Sequence, residues 1–297
     1  MTVLSLQQGW SGKAGVQFYA DTGLTAILAT SFTQGINGSV LDSTAMWGLM
    51  DTTLETQTPA TVGRYNGPFI YDVPSRDISF SCEPSKDFLE KFFTHIKSHR
   101  HMPVKIVFES RGGSDRTTCI FPEIYLTGAT ITCSLDSLVE LSMDFMIPDE
   151  NVWSFSGDMS SLVGNPSSNI IAYYDLGLTY GKLGWSMNFQ QDIEPMSFCR
   201  GSIDEGVPNP HDLLFSSPEI TINTTDLIRK GLSGHSLDDS GTQAKTSSSG
   251  STIKCLYQND VELFSCTGCF VTSDSADIIN MEKFTRERSW TVYGNIK

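Results

Sequence analysis

A strand-rich pattern runs through this chain twice, and that recurrence limits its possible folds more than any single motif. Tyr19-Ala20-Asp21-Thr22-Gly23-Leu24-Thr25 returns as Tyr173-Tyr174-Asp175-Leu176-Gly177-Leu178-Thr179, with Phe32 and Gln34 answered by Phe189 and Gln191. Ile78-Ser79-Phe80 is matched by Ile220-Thr221-Ile222, and the segments behind them set Asp87, Leu89 and Lys91 against Asp226, Ile228 and Lys230. Thr127-Gly128-Ala129-Thr130-Ile131-Thr132 is matched by Thr267-Gly268-Cys269-Phe270-Val271-Thr272. The three pairs keep one order at a spacing of roughly 140 to 155 residues, the mark of an internal duplication. The expected organisation is a first unit over residues 1–150, a linker over 151–169 rich in Ser, Gly and Asn, and a second unit over 170–297.

With 297 residues, each unit is large enough to bury a core without staples. The net charge of −14 divides equally between residues 1–150 and 151–297. Such even acidity argues against a protein that grips nucleic acid, because phosphate binding depends on Lys and Arg displacing counterions. No stretch approaches the roughly 20 apolar residues that span a bilayer, and Met1 to Gln8 lacks a basic region followed by an apolar run. The expectation is a chain neither exported by that route nor embedded. The seven cysteines, at 82, 119, 133, 199, 255, 266 and 269, are odd in number and mostly lie inside apolar strand patterns. They read as buried free thiols of a reducing cytoplasm rather than a disulfide framework.

Period-2 alternation dominates. Val139, Leu141, Met143 and Phe145 alternate with Glu140, Ser142 and Asp144, and Trp290 and Val292 with Ser289, Thr291 and Tyr293. Further strands are expected over 15–20, 24–33, 77–82, 103–109 and 118–133, then over 171–180, 184–190, 218–223, 252–257, 261–272 and 279–293. Two segments read as helical. In Pro84 to Ile96, Phe88, Leu89, Phe92, Phe93 and Ile96 form one apolar stripe. Thr225 to Leu232 is its shorter counterpart, capped by Thr224 or Thr225 and ended by Gly231 or Gly234. Residues 51–75 and 233–252 read as long loops, the second Ser/Gly-rich and expected to order on binding.

Candidate chemical sites each have a plainer explanation. Cys266 and Cys269 lack a second ligand pair for zinc and a helix N-terminus for redox work; on a strand, residues three apart face opposite ways, so buried thiols are expected. His95, His99 and His101, with Lys97 and Arg100 between them, read as a solvated helix end whose cations complement the helix dipole. Arg111-Gly112-Gly113-Ser114-Asp115 lacks the lysine and following helix of a phosphate loop and reads as a hairpin turn. Gly164-Asn165-Pro166 and Asn223-Thr224-Thr225 need only turn and cap chemistry, although the latter is formally a glycosylation sequon. With no triad or paired carboxylates in view, no catalytic, cofactor-binding or metal residue is assigned, no cofactor is expected, and the chain is not expected to be an enzyme.

A duplicated sheet-forming unit without an active site is suited to building rings, where neighbours cover the strand edges that a monomer would expose. The strand pairs at 15–34 and 171–191, the strand–helix units at 77–97 and 218–232, and the hairpins Ile124 to Ile147 and Leu263 to Tyr293 resemble the tail-tube proteins of tailed bacteriophages, a family shared with baseplate hubs and tube initiators. The resemblance covers most of the chain and rests on architecture and strand order. It implies a mainly β fold of two tandem antiparallel sandwich or barrel domains, each with one flanking α-helix. It further implies a virion structural protein whose rings, trimers with pseudo-sixfold symmetry or alternatively hexamers, stack into a tube. DNA would pass through an acidic lumen without specific binding, and the partners would be other tail proteins: tape measure, sheath, baseplate and terminator. Assembly would take place in the host cytoplasm, without membrane contact. A tube initiator or hub forming a single ring is the alternative within the family. Outside it, a carbohydrate-binding module would need an aromatic platform or an acidic calcium loop, for which Asp238-Asp239 is too thin.

Overall fold

The computed structural model describes residues 13–37, 40–42, 68–70, 75–112, 115–134, 137–147, 154–156, 173–175, 182–195, 213–228, 250–257, 261–278 and 284–297, and all structural statements concern these. The strands, in chain order, are β1 (Lys13–Gln17), β2 (Thr25–Asn37), β3 (Val40–Asp42), β4 (Pro68–Ile70), β5 (Ser75–Glu83), β6 (Val104–Gly112), β7 (Asp115–Ser134), β8 (Glu140–Ile147) and β9 (Ser154–Ser156). There follow β10 (Tyr173–Asp175), β11 (Lys182–Gln190), β12 (Ile193–Pro195), β13 (Leu213–Phe215), β14 (Glu219–Ile228), β15 (Ser251–Leu256), β16 (Glu262–Ile278) and β17 (Phe284–Val292). One helix, α1 (Lys86–Thr94), runs on into a π-helical turn at His95–His99. The protein is mainly β: 13 strands form one antiparallel sheet, with β3–β4 and β12–β13 as two small separate pairs.

The pairing order carries the repeat. In the first half the pairings close on themselves as β7–β6–β1–β2–β5–β8–β7. In the second half the path β10–β15–β16–β17–β14–β11 follows the order β1–β6–β7–β8–β5–β2 position for position. One step differs: β1 pairs with β2, whereas the edge of β11 that β10 would take carries β7. Register sharpens the matches read from sequence. Ser31, Ser81, Ser142 and Thr130 lie side by side, as do their counterparts Asn188, Thr221, Thr291 and Phe270. This keeps Phe32 with Phe189 and Thr127–Ile131 with Thr267–Val271, but makes Phe80 rather than Ile78 the equivalent of Ile220, and Ser273 rather than Thr272 the equivalent of Thr132, because β16 shifts register between Val271 and Ser273.

The core is continuous across the halves. Phe80, Met143, Ala129, Phe189 and Ile220 are neighbours in register and all buried, as are Leu141, Ile131, Met187, Ile222 and Trp290 in the next inward row. The Ser85 hydroxyl caps α1 by accepting from the Phe88 N–H at 3.1 Å, and the helix buries Phe88, Leu89, Phe92 and Phe93. Phe18 packs on Phe88 at 5.5 Å, while Phe93 stacks on Phe264 of β16 at 4.0 Å, so α1 touches both halves. Lys91 Nζ ties the helix to β2 by donating to Thr25 Oγ1 at 2.7 Å.

The second expected helix is a strand over its described residues. Residues 225–228 end β14, whose Ile220, Thr221, Ile222, Thr224 and Thr225 are β-branched and pack well on a pleated surface, while Asp226 turns inward to an ion pair. Residues 229–232 lie outside the described residues. Asn223-Thr224-Thr225 is accordingly mid-strand rather than a turn or cap, with Thr224 Oγ1 accepting from Trp290 Nε1 at 3.1 Å. At the expected 111–115 hairpin β6 and β7 pair down to Gly112 opposite Asp115, while Gly113 and Ser114 lie outside the described residues. Part of the expected 51–75 loop is β4 and Ser75 opens β5, part of the 151–169 linker is β9, and in the 233–252 segment Gly250 leads into β15 at Ser251; the remainder of those segments, with Gly164-Asn165-Pro166 and Asp238-Asp239, lies outside the described residues.

His95 is not part of a solvated helix end. It lies seven residues after Phe88 and three after Phe92, on the apolar stripe, and is 1% exposed with its ring 5.2 Å from that of Phe18. Burial, followed by the charge of His99, lowers its pKa from 6.5 to about 4. The unfolded chain therefore takes up this proton near pH 6.5 and the folded protein only near pH 4. Stability at this site is full above pH 6.5 and falls as the pH drops through that window, by about 3 kcal/mol in total. His95→Phe is expected to flatten the pH dependence of the urea midpoint between pH 6.5 and 4; an unchanged slope would rule His95 out as its source.

Candidate functional site: a polar face shared by eight strands

The outward side of the sheet is built from the alternate positions of the same strands. In the longest row, Ser31, Ser81, Ser142, Thr130, Asn188, Thr221, Thr291 and Phe270 are successive register neighbours on β2, β5, β8, β7, β11, β14, β17 and β16. One row to one side come Thr33, Ser79, Asp144, Gly128, Gln190 and Glu219. To the other side come Glu140, Thr132, Ser186, Asn223, Ser289 and Ser273. Every residue in the three rows but Gly128, which is buried, is exposed or half-exposed.

Side chains are linked along the rows. Ser81 and Ser142 hydroxyls lie 2.6 Å apart, Thr130 Oγ1 donates to Asn188 Oδ1 at 3.1 Å, and Ser79 Oγ donates to Asp144 Oδ1 at 2.5 Å. Asn223 bridges two strands, donating from Nδ2 to Ser186 Oγ at 3.3 Å and accepting at Oδ1 from Ser289 Oγ at 2.7 Å. These bonds hold short side chains flat against the sheet. The charged residues of the three rows, Glu140, Asp144 and Glu219, are all acidic. The nearest cation on β11, Lys182, lies past the irregularity at Lys182/Gly184. The face is thus a wide hydroxyl and amide surface of one charge sign.

The two halves join on this face through β7 and β11. Gly184 meets Ser134 in that pairing, where a Cβ would come within 2.8 Å of the Cys133 carbonyl oxygen, so glycine is what lets the strands close at this end.

The cations of β17 turn away from the face. Arg286 makes a bidentate pair with Asp274 at 2.8 and 2.7 Å, and Arg288 is held by Asp226 with both side chains buried. Among the described residues the thiols of Cys82, Cys133, Cys255, Cys266 and Cys269 are internal as well. Cys266 and Cys269 both face the core, contrary to the alternation expected of a strand, because Gly268 adopts φ +64 and shifts the phase between them. Burial pushes the Cys82, Cys255 and Cys266 thiols well up and that of Cys269 to about 11, so they are protonated and poorly nucleophilic at neutral pH. His99 lies against Tyr19 and His101 against Phe215, so the three histidines do not converge. Among the described residues no group of three or more His, Cys, Asp or Glu could hold a metal ion.

A cleft of about 410 Å³ lies where the π-helical turn meets the start of β14 and the segment after β17, with Lys97, Arg100 and Lys297 around Ile96, Ile220 and Ile296. Its charge is opposite to that of the sheet face. Among the described residues no helix is long and apolar enough to cross a membrane. No protein-family model matches the chain, and no characterised protein matches it at a significant level.

Proposed function

We propose that this chain is a structural, non-catalytic protein of a bacteriophage-type tail tube. Its two strand-rich units act as tandem tube domains, its rings stack, and the polar sheet face lines an acidic lumen through which DNA passes. The observation that carries the reading is that face: in-register rows of short, hydrogen-bonded side chains run through both halves, and their only charges are carboxylates. Like charge keeps the phosphate backbone from adhering, and side chains tied to one another offer few free donors to it. The repeated pairing order supports two equivalent positions per chain, and hence a trimeric ring with pseudo-sixfold symmetry ahead of a hexamer. Tape measure, sheath, baseplate and terminator proteins are the partners in that setting, and the virion tail its location.

The test is negative-stain electron microscopy of the purified chain, with light-scattering mass over a concentration series. Hollow tubes or stacked rings, with a mass that is a multiple of three chains, are the expected result. Isolated rings at every concentration would assign the chain to a tube initiator or hub. A compact monomer throughout would overturn the reading. In assembled tubes, replacing Glu140, Asp144 and Glu219 together by lysine is expected to create DNA retention, seen as a gel shift, where the parent tubes show none.

A further inference from the structure

We infer that the basic cleft takes the β7–β8 turn of a second copy of this chain, seating its exposed Leu138 on the isoleucine floor and its carboxylates against Lys97 and Arg100. The inference rests on the proposed function only in taking the chain to associate with itself. The walls of the cleft come from three separate parts of the chain. The π-helical turn and the residue after it supply Ile96, Lys97, Ser98 and Arg100, the start of β14 supplies Ile220, and the segment after β17 supplies Ile296. That last segment is fastened to β16, where the Thr267 N–H donates to the Asn295 carbonyl at 3.1 Å and the Lys297 N–H to the Ser265 carbonyl at 2.8 Å. Each wall stands well inside a described stretch. A single π-helical turn is uncommon and often marks a functional site; here it carries two of the cations.

The apolar floor lies beside charge that the chain does not use internally. Lys97 is exposed, and among the described residues no carboxylate pairs with Lys97 or Arg100. The Arg100 Nε–H instead donates to His101 Nε2 at 3.2 Å, while Lys297 also feels the carboxylate of Glu262 on β16. At about 410 Å³ the cleft falls within the range of ligand-holding clefts, roughly 300–1,000 Å³. A fitting occupant combines an apolar side chain with carboxylates, and the turn between β7 and β8 displays both. Val139 is buried, whereas its neighbours Leu138 and Glu140 are exposed, Leu138 by 46%, and Asp136 precedes Leu138 by two positions in sequence.

Register places the turn and the cleft at opposite ends of the same strands. Ile220 is level with Phe189 of β11 and Ala129 of β7, whereas Ser134, from which the turn departs, is level with Gly184 and through it with Thr225 towards the far end of β14. A copy displaced along the strand direction therefore brings its turn to the cleft of the next. Leu214, opposite Glu194, and Val261, beside Glu262, are also exposed, but both lie at the end that holds the cleft. The contact is heterologous and leaves one free cleft and one free turn, so copies add in one direction, as stacking requires. Local attraction of this kind also offsets the repulsion between copies that each carry a net charge of −14.

The test uses full-length chains carrying Ser98→Cys and, separately, Ser137→Cys, mixed and treated with a short bis-maleimide; both positions are exposed, one on the cleft wall and one beside Leu138. A crosslinked dimer on a denaturing gel from the mixture, and not from either variant alone, is expected, with a ladder of larger species from a chain carrying both changes. Adding Lys97→Glu and Arg100→Glu to the first variant, or Leu138→Asp to the second, is expected to lower crosslinking at least tenfold; crosslinking indifferent to these changes would overturn the docking. A labelled peptide of residues 134–140 is expected to bind the parent chain by fluorescence anisotropy, and its Leu138→Asp form at least tenfold more weakly. Rings or tubes that form without the crosslink would overturn the docking and leave the tube reading standing. A crosslinked ladder that never forms rings or tubes would do the reverse. A chain that is monomeric and uncrosslinked at all concentrations, with no peptide bound, would overturn both.

Discussion

Arg288→Ala is expected to lower folding stability by about 3–5 kcal/mol, the range for breaking a buried ion pair by removing one partner. Arg288 and Asp226 are 9% and 8% exposed, and the guanidinium also lies over the Trp290 ring at 5.5 Å. Truncation leaves the Asp226 carboxylate in the interior without its guanidinium, and desolvation rather than lost attraction supplies most of the cost. A double replacement, Asp226→Leu with Arg288→Met, is expected to recover most of the loss, because two apolar side chains of similar volume need neither water nor each other's charge. Urea midpoints of the single and double variants decide it. A double variant no more stable than the single would mean that the site is held by packing against Trp290 and not by the balance of buried charge.

Phe264→Ala is expected to cost about 3–5 kcal/mol as well, through the cavity left by a fully buried ring. Its particular interest is where the loss is felt. Phe264 stacks on Phe93 of α1 at 4.0 Å and meets Trp185 of β11 edge-on at 5.8 Å, so one ring joins the helix of the first half to strands of the second. Amide exchange is expected to quicken in α1 as well as in β11 and β16. Protection of α1 unchanged from the parent would show that the halves open independently, despite the core they share.

Much of the architecture was legible because β-structure writes itself as alternation. The strands at 24–33, 118–133 and 184–190 lie within or close to the observed ones, and the repeat was visible in short matches that the pairing order follows. The failures have identifiable causes. At 225–228 a nominal cap and two apolar residues imitated a helix start, but β-branched neighbours and the need of Asp226 for Arg288 keep the chain extended. At Cys266 and Cys269, counting by twos missed the phase shift at Gly268. His95 was read by its residue type, although its position on the Phe88–Phe92 stripe placed it inside.

The polar face is a different case. Ser81, Ser142, Thr130, Asn188 and Asn223 are a dozen or more residues apart in sequence, and neither the repeat match at Thr130 nor the formal sequon at Asn223 links them to one another. They become one surface only when register sets them side by side, and a slip of one residue in any strand would turn that strand's members into the core. Alternation within each strand, set by covalent geometry, is thus what the sequence by itself determined: which residues pair with water and which with one another. Which strands become neighbours and where the two halves join at β7 and β11 are decided by tertiary structure, because hydrogen bonds between strands are indifferent to side-chain identity and only the packing of the shared core selects among the possible pairings.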